Sequence, residues 1–464
     1  MRIWLLQTGE PLHSDGGSPR PMRVMNIADA LVSRGHRVEI WSSAFYHQEK
    51  RHRTRRFESI RVHESLTIHL IPSMGYVRNI GPARLIDHAQ MAFSLWRVLR
   101  SKRFDPPDLA FVGYPPIEVA WVLLRWLKHH SVPSYIDVKD QWPSLFVDAM
   151  PKALQPVAKL VFSPYFWLGR RAMRDASAIT SMSEPFLAWA LEFCSRPRQQ
   201  ADCVVPLVPV HLPVTEAQRS EARQWWVDAG VDLTMVRCFS FVGSLSQAFD
   251  FTALRGAFGQ LLQLHPTCQL VICGSGAEEN AIKSLFSGLK NVVFPGWIDV
   301  PKIDVLMEST LATVAPYRNT PDFQLSVPNK VMDSFAHGRP VITGLLGEVQ
   351  RLITDEGVGI VCADTAEGWR SAMLQLLVDP EYHQAMSIRA VTLYSERYEA
   401  RNVYDAFVTK MEKLASHNHG GQRYRKAALR CPRQKRDAGS ACETELESRC
   451  FVSATGLACA IHPL

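Results

Sequence analysis

No C-x-x-C pair occurs among the ten cysteines of this 464-residue chain, and no Cys/His set stands at ligand spacing. That excludes dithiol redox motifs and the common zinc sites. Cys431, Cys442, Cys450 and Cys459 fall in the C-terminal tail, and the other six lie in or beside apolar runs such as CQLVIC, where reduced, buried thiols are expected. No uncharged apolar stretch approaches the ~18 residues of a membrane span, and the apolar run in MRIWLLQTGEP is too short for a signal peptide. The expectation is a protein that is neither exported nor membrane-spanning. The pattern G-x-x-x-x-G-K-[ST] is missing too, which argues against ATP hydrolysis, and no Asp-x-Asp clamp stands where a metal would be held, so no metal site is expected. Basic charge is present without a recognition motif, so nucleic acid is not an expected partner.

What the chain does contain is enough apolar sequence for more than one core. Length alone points to two or three domains, and 47% apolar with 21% charged residues describes a globular protein. The net charge of +7 is unevenly spread: residues 1–210 carry 27 Lys and Arg against 18 Asp and Glu, residues 211–415 carry 17 against 23, and residues 416–464 carry 8 against 4. A basic first half beside an acidic second half points to an anionic partner for the first alone, such as phospholipid headgroups.

RIWLLQ reads as a strand, TGEPLHSDGGSPRP as a glycine loop, MRVMNIADALVSRGH as a helix ended by Gly35, and RVEIWSS as a second strand. This is one βαβ unit. TIHLIP, LAFVG, SYIDV and AITSMS continue the alternation with helices over 83–100 and 117–130, which predicts a doubly wound, helix-covered parallel sheet. The proline-rich run CVVPLVPVHLPV cannot make a central strand or a helix interior. Six more strand-like runs follow, from CFSFVG to GIVC. We therefore expect an α/β chain with a first Rossmann-like domain over 1–210, a linker over 211–236, a second Rossmann-like domain over 237–380, returning helices over 381–415 and a disordered basic tail over 416–464. Two such halves leave a cleft between the carboxyl ends of their sheets, where open α/β sheets bind ligands.

The segment QLSVPNKVMDSFAHGRPVI, residues 324–342, carries the sharpest chemistry. A helix beginning at Pro328 and stopping at Gly338 places Lys330 in its first turn and Asp333 one turn later, on nearly the same side. Its opening N–H groups attract phosphate, Lys330 adds a full positive charge, and the carboxylate of Asp333 can accept both hydroxyls of a ribose. Taken alone, the pair also fits an ordinary surface ion pair. In FVGSLSQAFDF and CGSGAEEN, Gly243 with Ser244, and Gly274 with Gly276, follow strands directly, where a missing side chain lets backbone approach a diphosphate or a neighbouring loop.

With these runs in place, the sequence over residues 1–415 resembles the GT-B glycosyltransferases, in particular the retaining, nucleotide-sugar-dependent enzymes called glycosyltransferase family four, of the kind that build bacterial surface polysaccharides. The resemblance rests on DGGSPRPMR before LVSRGHRVEI, and on IDVKDQWP, FVGSL, VVFPGWID and VPNKVMDSFAHGRPVI. It implies that Gly16 and Gly17 approach donor phosphates or acceptor, with Arg23 on the next helix. It implies that Asp333 holds the ribose, that Ser326, Asn329 and Lys330 border the diphosphate and sugar, and that Trp297 and Ile298 line the base. Lys139 and Asp140 would stand near the reacting carbon with Trp142 as a wall. The sequence departs from the family in two places. The first of its two glutamates falls on Leu325, and the basic pair usual after F-x-G is missing from SLSQAFD. Lys330 is expected to take over that charge.

The resemblance implies transfer of a sugar from a UDP- or GDP-sugar, with retention and with no further cofactor, to a lipid-linked or polysaccharide acceptor. A nucleotide-sugar epimerase of the same fold and a catalytically degenerate nucleotide-sugar-binding partner are the rival readings. EKRHRTRRFE and KLVFSPYFWLGRRAMR are the expected contacts with the membrane, at whose cytoplasmic face the protein would sit as a peripheral enzyme.

Overall fold

The computed structural model describes residues 1–430 other than 17–19, 78–80, 149, 211–212, 232 and 234–236. Gly17 and the last four cysteines lie outside the described residues. Two sheets organise the chain. The first contains β1 (Arg2–Leu6), β2 (Arg37–Ser43), β3 (Glu58–His63), β4 (Leu66–Ile71), β5 (Leu109–Tyr114), β6 (Ser134–Val138), β7 (Ala178–Ser181) and β8 (Cys203–Val204), in the order β8-β7-β6-β5-β1-β2-β4-β3. The second contains β9 (Cys238–Val242), β10 (Gln269–Cys273), β11 (Val292–Gly296), β12 (Thr310–Ala315), β13 (Val341–Thr343) and β14 (Gly359–Val361), in the order β11-β10-β9-β12-β13-β14. The fold is α/β with parallel-strand sheets in two domains.

The opening βαβ unit forms as its pattern predicts. Buried β1 pairs in parallel with β2, Ile3 opposite Val38, across helix α1 (Arg23–Ser33), and Gly35 turns the chain in the left-handed region at φ +78°. One element differs from expectation. β3 adds to β4 antiparallel, and its sequence ESIRVH is largely exposed, so no apolar run announced it. A charged, exposed strand suits a sheet edge, where it discourages pairing with other chains.

Both faces of the first sheet are covered. Trp4, Val112 and Ile136 pack beneath helices that include α2 (Pro82–Arg100), while Ile3, Leu5 and Phe111 meet the returning C-terminal helix. The short α3 (Gln155–Val161) leads directly into α4 (Ser163–Asp175) at the margin of this layer. In the second lobe, α5 (Pro321–Leu325) and α6 (Asn329–Ala336) lie between β12 and β13.

Past the second sheet, α7 (Pro380–Leu393) is followed by α8 (Ala400–Arg430), whose Phe407 ring packs edge-on against Phe111 and Tyr135 of the first lobe, 5.7 and 5.3 Å between centroids. The proline-rich segment between the lobes is held to the returning chain by the Tyr394 hydroxyl, which donates to the Pro209 carbonyl at 2.8 Å. Helix α8 is assigned through Arg430, and residues 431–464 of the tail expected to be disordered lie outside the described residues. Its run RKAALR consists of good helix formers.

Candidate active site

In each sheet the strand order reverses at one point, between β5 and β1 in the first and between β9 and β12 in the second, and a cavity lies at the carboxyl end of each. The cavity of the second lobe, about 260 Å³, is lined by Gly243 after β9, by Thr313 to Ala315 of β12, and by Asn329, Lys330 and Asp333 of α6. Arg20 of the first lobe closes one side. Pro328 is the cap that precedes α6 rather than its first residue, with Asn329 opening the helix. His337 ends it, and Gly338 follows at φ +63°.

Lys330 is buried against the end of β9. Its Nζ donates to the Val242 carbonyl at 2.7 Å and stands 4.8 Å from the centroid of Phe241, and burial lowers its pKa to about 8. A Cβ on Gly243 would collide with that amino group, so glycine makes room for the lysine. Asp333 faces the first lobe, where both its oxygens accept from the guanidinium of Arg20, with Nη1 to Oδ2 at 3.1 Å. Sequence reasoning missed Arg20, and a partner 313 residues away leaves no local signal.

The other donor-side candidates are placed differently from expectation. Gly274 and Gly276 permit close approach of protein to protein: a Cβ on either would run into main-chain atoms, of Gly243 and Leu245 respectively. Gly274→Ala, at φ +131°, is expected to destabilise the second lobe by about 3 kcal/mol or more, read as an earlier denaturant midpoint, because strain and a backbone collision add. Ser244 is exposed beside Gly243. Ser326 is buried and its hydroxyl donates to Phe323 at 3.3 Å, closing α5. The Ile298 side chain lies in the core with Cys273 and Val305, which corrects its assignment to the base. The apolar wall of the cavity comes instead from Val300, Ile303 and Met307. Trp297 is 72% exposed and borders a wider cavity between the lobes with Gly16, Arg20, Arg23 and Asn329.

Arg23 is buried, although it too borders that wider cavity. Its guanidinium pairs with Asp137 at 3.2 Å and donates to the Val205 carbonyl. Lys139 pairs with Glu10 at 2.6 Å. Asp140 lines the cavity of the first lobe, about 220 Å³, with Gln7, His47, Tyr76, Arg84 and His88. Burial, reinforced by Asp322 of α5, raises the pKa of Asp140 to about 7. Burial and the charge of Arg84 also lower His88 to about 3, while His47, lowered by burial and by Lys50 and Arg84, stands at about 4, so both imidazoles are neutral at pH 7. Three buried atoms on this cavity, Gln7 Oε1, His88 Nδ1 and Asp140 Oδ1, have no protein partner among the described residues. Trp142 is buried beside it, its ring 5.7 Å from that of His88. Leu325, at the position of the missing glutamate, packs on the first lobe, and its carbonyl accepts from Ser183. One turn earlier on the same helix stands Asp322, the acid whose charge helps raise Asp140.

Two facing Rossmann-like lobes with their cavities at the strand ends define a GT-B glycosyltransferase fold. The model of the glycosyl transferase 4-like domain matches residues 21–207 and that of glycosyl transferases group 1 matches residues 237–379, well over half of the chain together. The chain belongs to the nucleotide-sugar glycosyltransferases of this family-four-like type. Solved structures show the same fold. Sucrose-phosphate synthase from Thermosynechococcus elongatus is 16% identical with a TM-score of 0.59, covering 92% of this chain and 99% of its own. HepE of Anabaena, solved in complex with UDP-glucose, is 12% identical with a TM-score of 0.58, covering 89% of this chain and 100% of its own. WaaG, a glycosyltransferase involved in lipopolysaccharide biosynthesis, is 12% identical with a TM-score of 0.57, covering 88% and 98%. No curated protein matches the chain in sequence.

Proposed function

We propose that the enzyme moves a sugar, with retention and without metal, from a UDP- or GDP-sugar to a lipid-linked or polysaccharide acceptor in cell-envelope synthesis. The observation that carries this reading is the convergence of Asn329, Lys330, Asp333 and Arg20 on one cavity beside Gly243. In it the nucleoside lies along α6 against Val300 and Met307, the ribose diol bonds Asp333, and the diphosphate meets the opening amides of α6 near Lys330. As the glycosidic bond breaks, charge grows on the leaving diphosphate where those amides and cations already point. The acceptor enters from the first lobe, and Asp140 orients its hydroxyl toward the anomeric carbon from the leaving-group side. UDP-glucose in HepE and the lipopolysaccharide role of WaaG support the donor and acceptor classes.

The test is a thermal-shift comparison of UDP, GDP, CMP and dTDP, followed by transfer of labelled sugar from the matching donor to a bacterial lipid extract. Stabilisation by none of the four would refute the reading. Nucleotide release with an epimerised sugar would favour the epimerase instead, and binding without turnover the degenerate partner.

The same reading places the first lobe on the membrane, and the structure supports one of the two expected segments. In the run 49–58, Arg51 pairs with Glu49 and Arg53 with Asp15 at 2.5 Å, so part of its charge is neutralised internally. In α3 and α4, Val157, Leu160, Val161 and Trp167 are 60, 74, 65 and 58% exposed. Among the described residues no acid pairs with the flanking Lys159, Arg170 or Arg174, as an interfacial helix requires. Leu160→Asp with Val161→Asp is expected to cut binding to phosphatidylglycerol vesicles about tenfold in co-sedimentation.

A further inference from the structure

Arg20 joins two facts that the donor reading leaves apart: Asp333 already has a bidentate partner, and the loop after β9 lacks the cations a diphosphate needs. The guanidinium fork of Arg20 covers both oxygens of the Asp333 carboxylate. A ribose diol requires that same edge, because it too is a two-pronged donor. Diol and guanidinium therefore compete, and the ion pair opens when the donor binds. The backbone behind Arg20 does not follow it away. Arg23, three residues on, is anchored to Asp137 and to the Val205 carbonyl. The freed guanidinium stays at the mouth of the site, where it borders both the 260 Å³ cavity and the 620 Å³ cavity between the lobes, with Asn329 lining each.

The diphosphate provides the anion it then meets. Residues Ser244 to Asp250 contain no Lys or Arg. Arg318, beside that loop, is paired with Asp250 at 2.9 Å, so that among the residues lining the cavity Lys330 is the single Lys or Arg of the second lobe. We propose that Arg20 is a donor-binding residue that exchanges partners: it holds Asp333 until the ribose takes that carboxylate, then bonds the diphosphate and so draws the two lobes together. This rests on the assignment of Asp333 to the ribose and adds a role for a first-lobe residue. The missing basic pair is thereby replaced from across the cleft.

The exchange has a signature with two signs. In calorimetric titrations of the full chain, Arg20→Ala should bind uridine about threefold to tenfold more tightly, because a competitor for Asp333 is gone. It should bind UDP at least ~10-fold more weakly, because a charge-assisted phosphate contact is lost. Arg20→Lys should recover part of the UDP affinity, and guanosine with GDP are run in parallel. Tighter binding of both nucleoside and diphosphate would reduce Arg20 to an obstruction and overturn the proposal. No change in either would overturn it as well. Asp333→Ala separates the two levels: if UDP binding survives that change, the ribose assignment itself has failed, whereas its loss without the opposite-sign pattern at Arg20 defeats the exchange alone. Failure of the wild-type chain to bind UDP or GDP overturns both.

Discussion

Asp333→Ala is expected to lower kcat/KM for the sugar-nucleotide donor by roughly a hundred- to a thousandfold. On the proposed assignment two hydrogen bonds run from the ribose diol to the ionised carboxylate, each contributing about 1.5–3 kcal/mol when one partner is charged, with part of that returned by water in the variant. Most of the loss should appear in the donor KM, since the diol is bound in ground and transition states alike. Stability should change by about 1 kcal/mol or less, because the protein partner of Asp333 is a half-exposed arginine and such pairs contribute little. Donor hydrolysis assays and a thermal melt of the same preparation measure both quantities. A large drop in melting temperature would make Asp333 a structural residue, and an unchanged kcat/KM would remove it from the donor site.

The face that Asp333 shares with Lys330 could be read from sequence because its information is local. Pro328, Lys330, Asp333 and Gly338 lie within three turns, and helix geometry converts their spacing into a shared face. The six strands of the second lobe were legible for a similar reason, since each is a short apolar run ended by a glycine or a polar loop. β3 was not legible, because an edge strand with exposed faces is under no pressure to look apolar.

The cavity of the first lobe is the opposite case. Gln7, His47, Tyr76, Arg84, His88, Tyr114 and Asp140 come from the ends of five strands and from α2, and only the sheet order brings them together. The proximity of the strand-end pair Lys139–Asp140 was visible, but Lys139 turns to Glu10 while Asp140 turns to the cavity. Ile298 shows the same limit at one residue. The run VVFPGWID marks a strand and its exit, yet which of two consecutive bulky residues enters the core depends on how the second sheet meets the helix after it, and Ile298 goes in while Trp297 stays out.

Lys330 carries the second large expectation, and its burial provides a test that a simple loss of activity would not. Lys330→Ala should lower kcat about a hundredfold, because on the proposed reading the ammonium meets charge that is greatest as the diphosphate leaves. Lys330→Arg should not restore it, since the wild-type Nζ already occupies the space above Gly243 where not even a Cβ would fit. In the free enzyme Asp140 titrates at about 7 and Lys330 at about 8, so kcat/KM should rise with pH through the first and fall through the second, a narrow bell. Asp140→Asn should remove the acidic limb alone.

The stability term of Lys330 runs the other way. Its folded pKa lies below the ordinary 10.5, so between about 8 and 10.5 the unfolded chain holds the proton that the folded chain has released. Stability contributed at this position therefore rises with pH over that window. Buried thiols such as Cys238 and Cys268, raised to about 11 and 12, act against it in any melt. They titrate alike in wild type and in Lys330→Met, so the difference between the two proteins isolates the lysine. Wild type should gain on the variant from pH 8 to 10 while its kcat/KM falls. An alkaline limb displaced to about 10, with no such gain, would mean that Lys330 is exposed and does not belong to the buried end of the donor site.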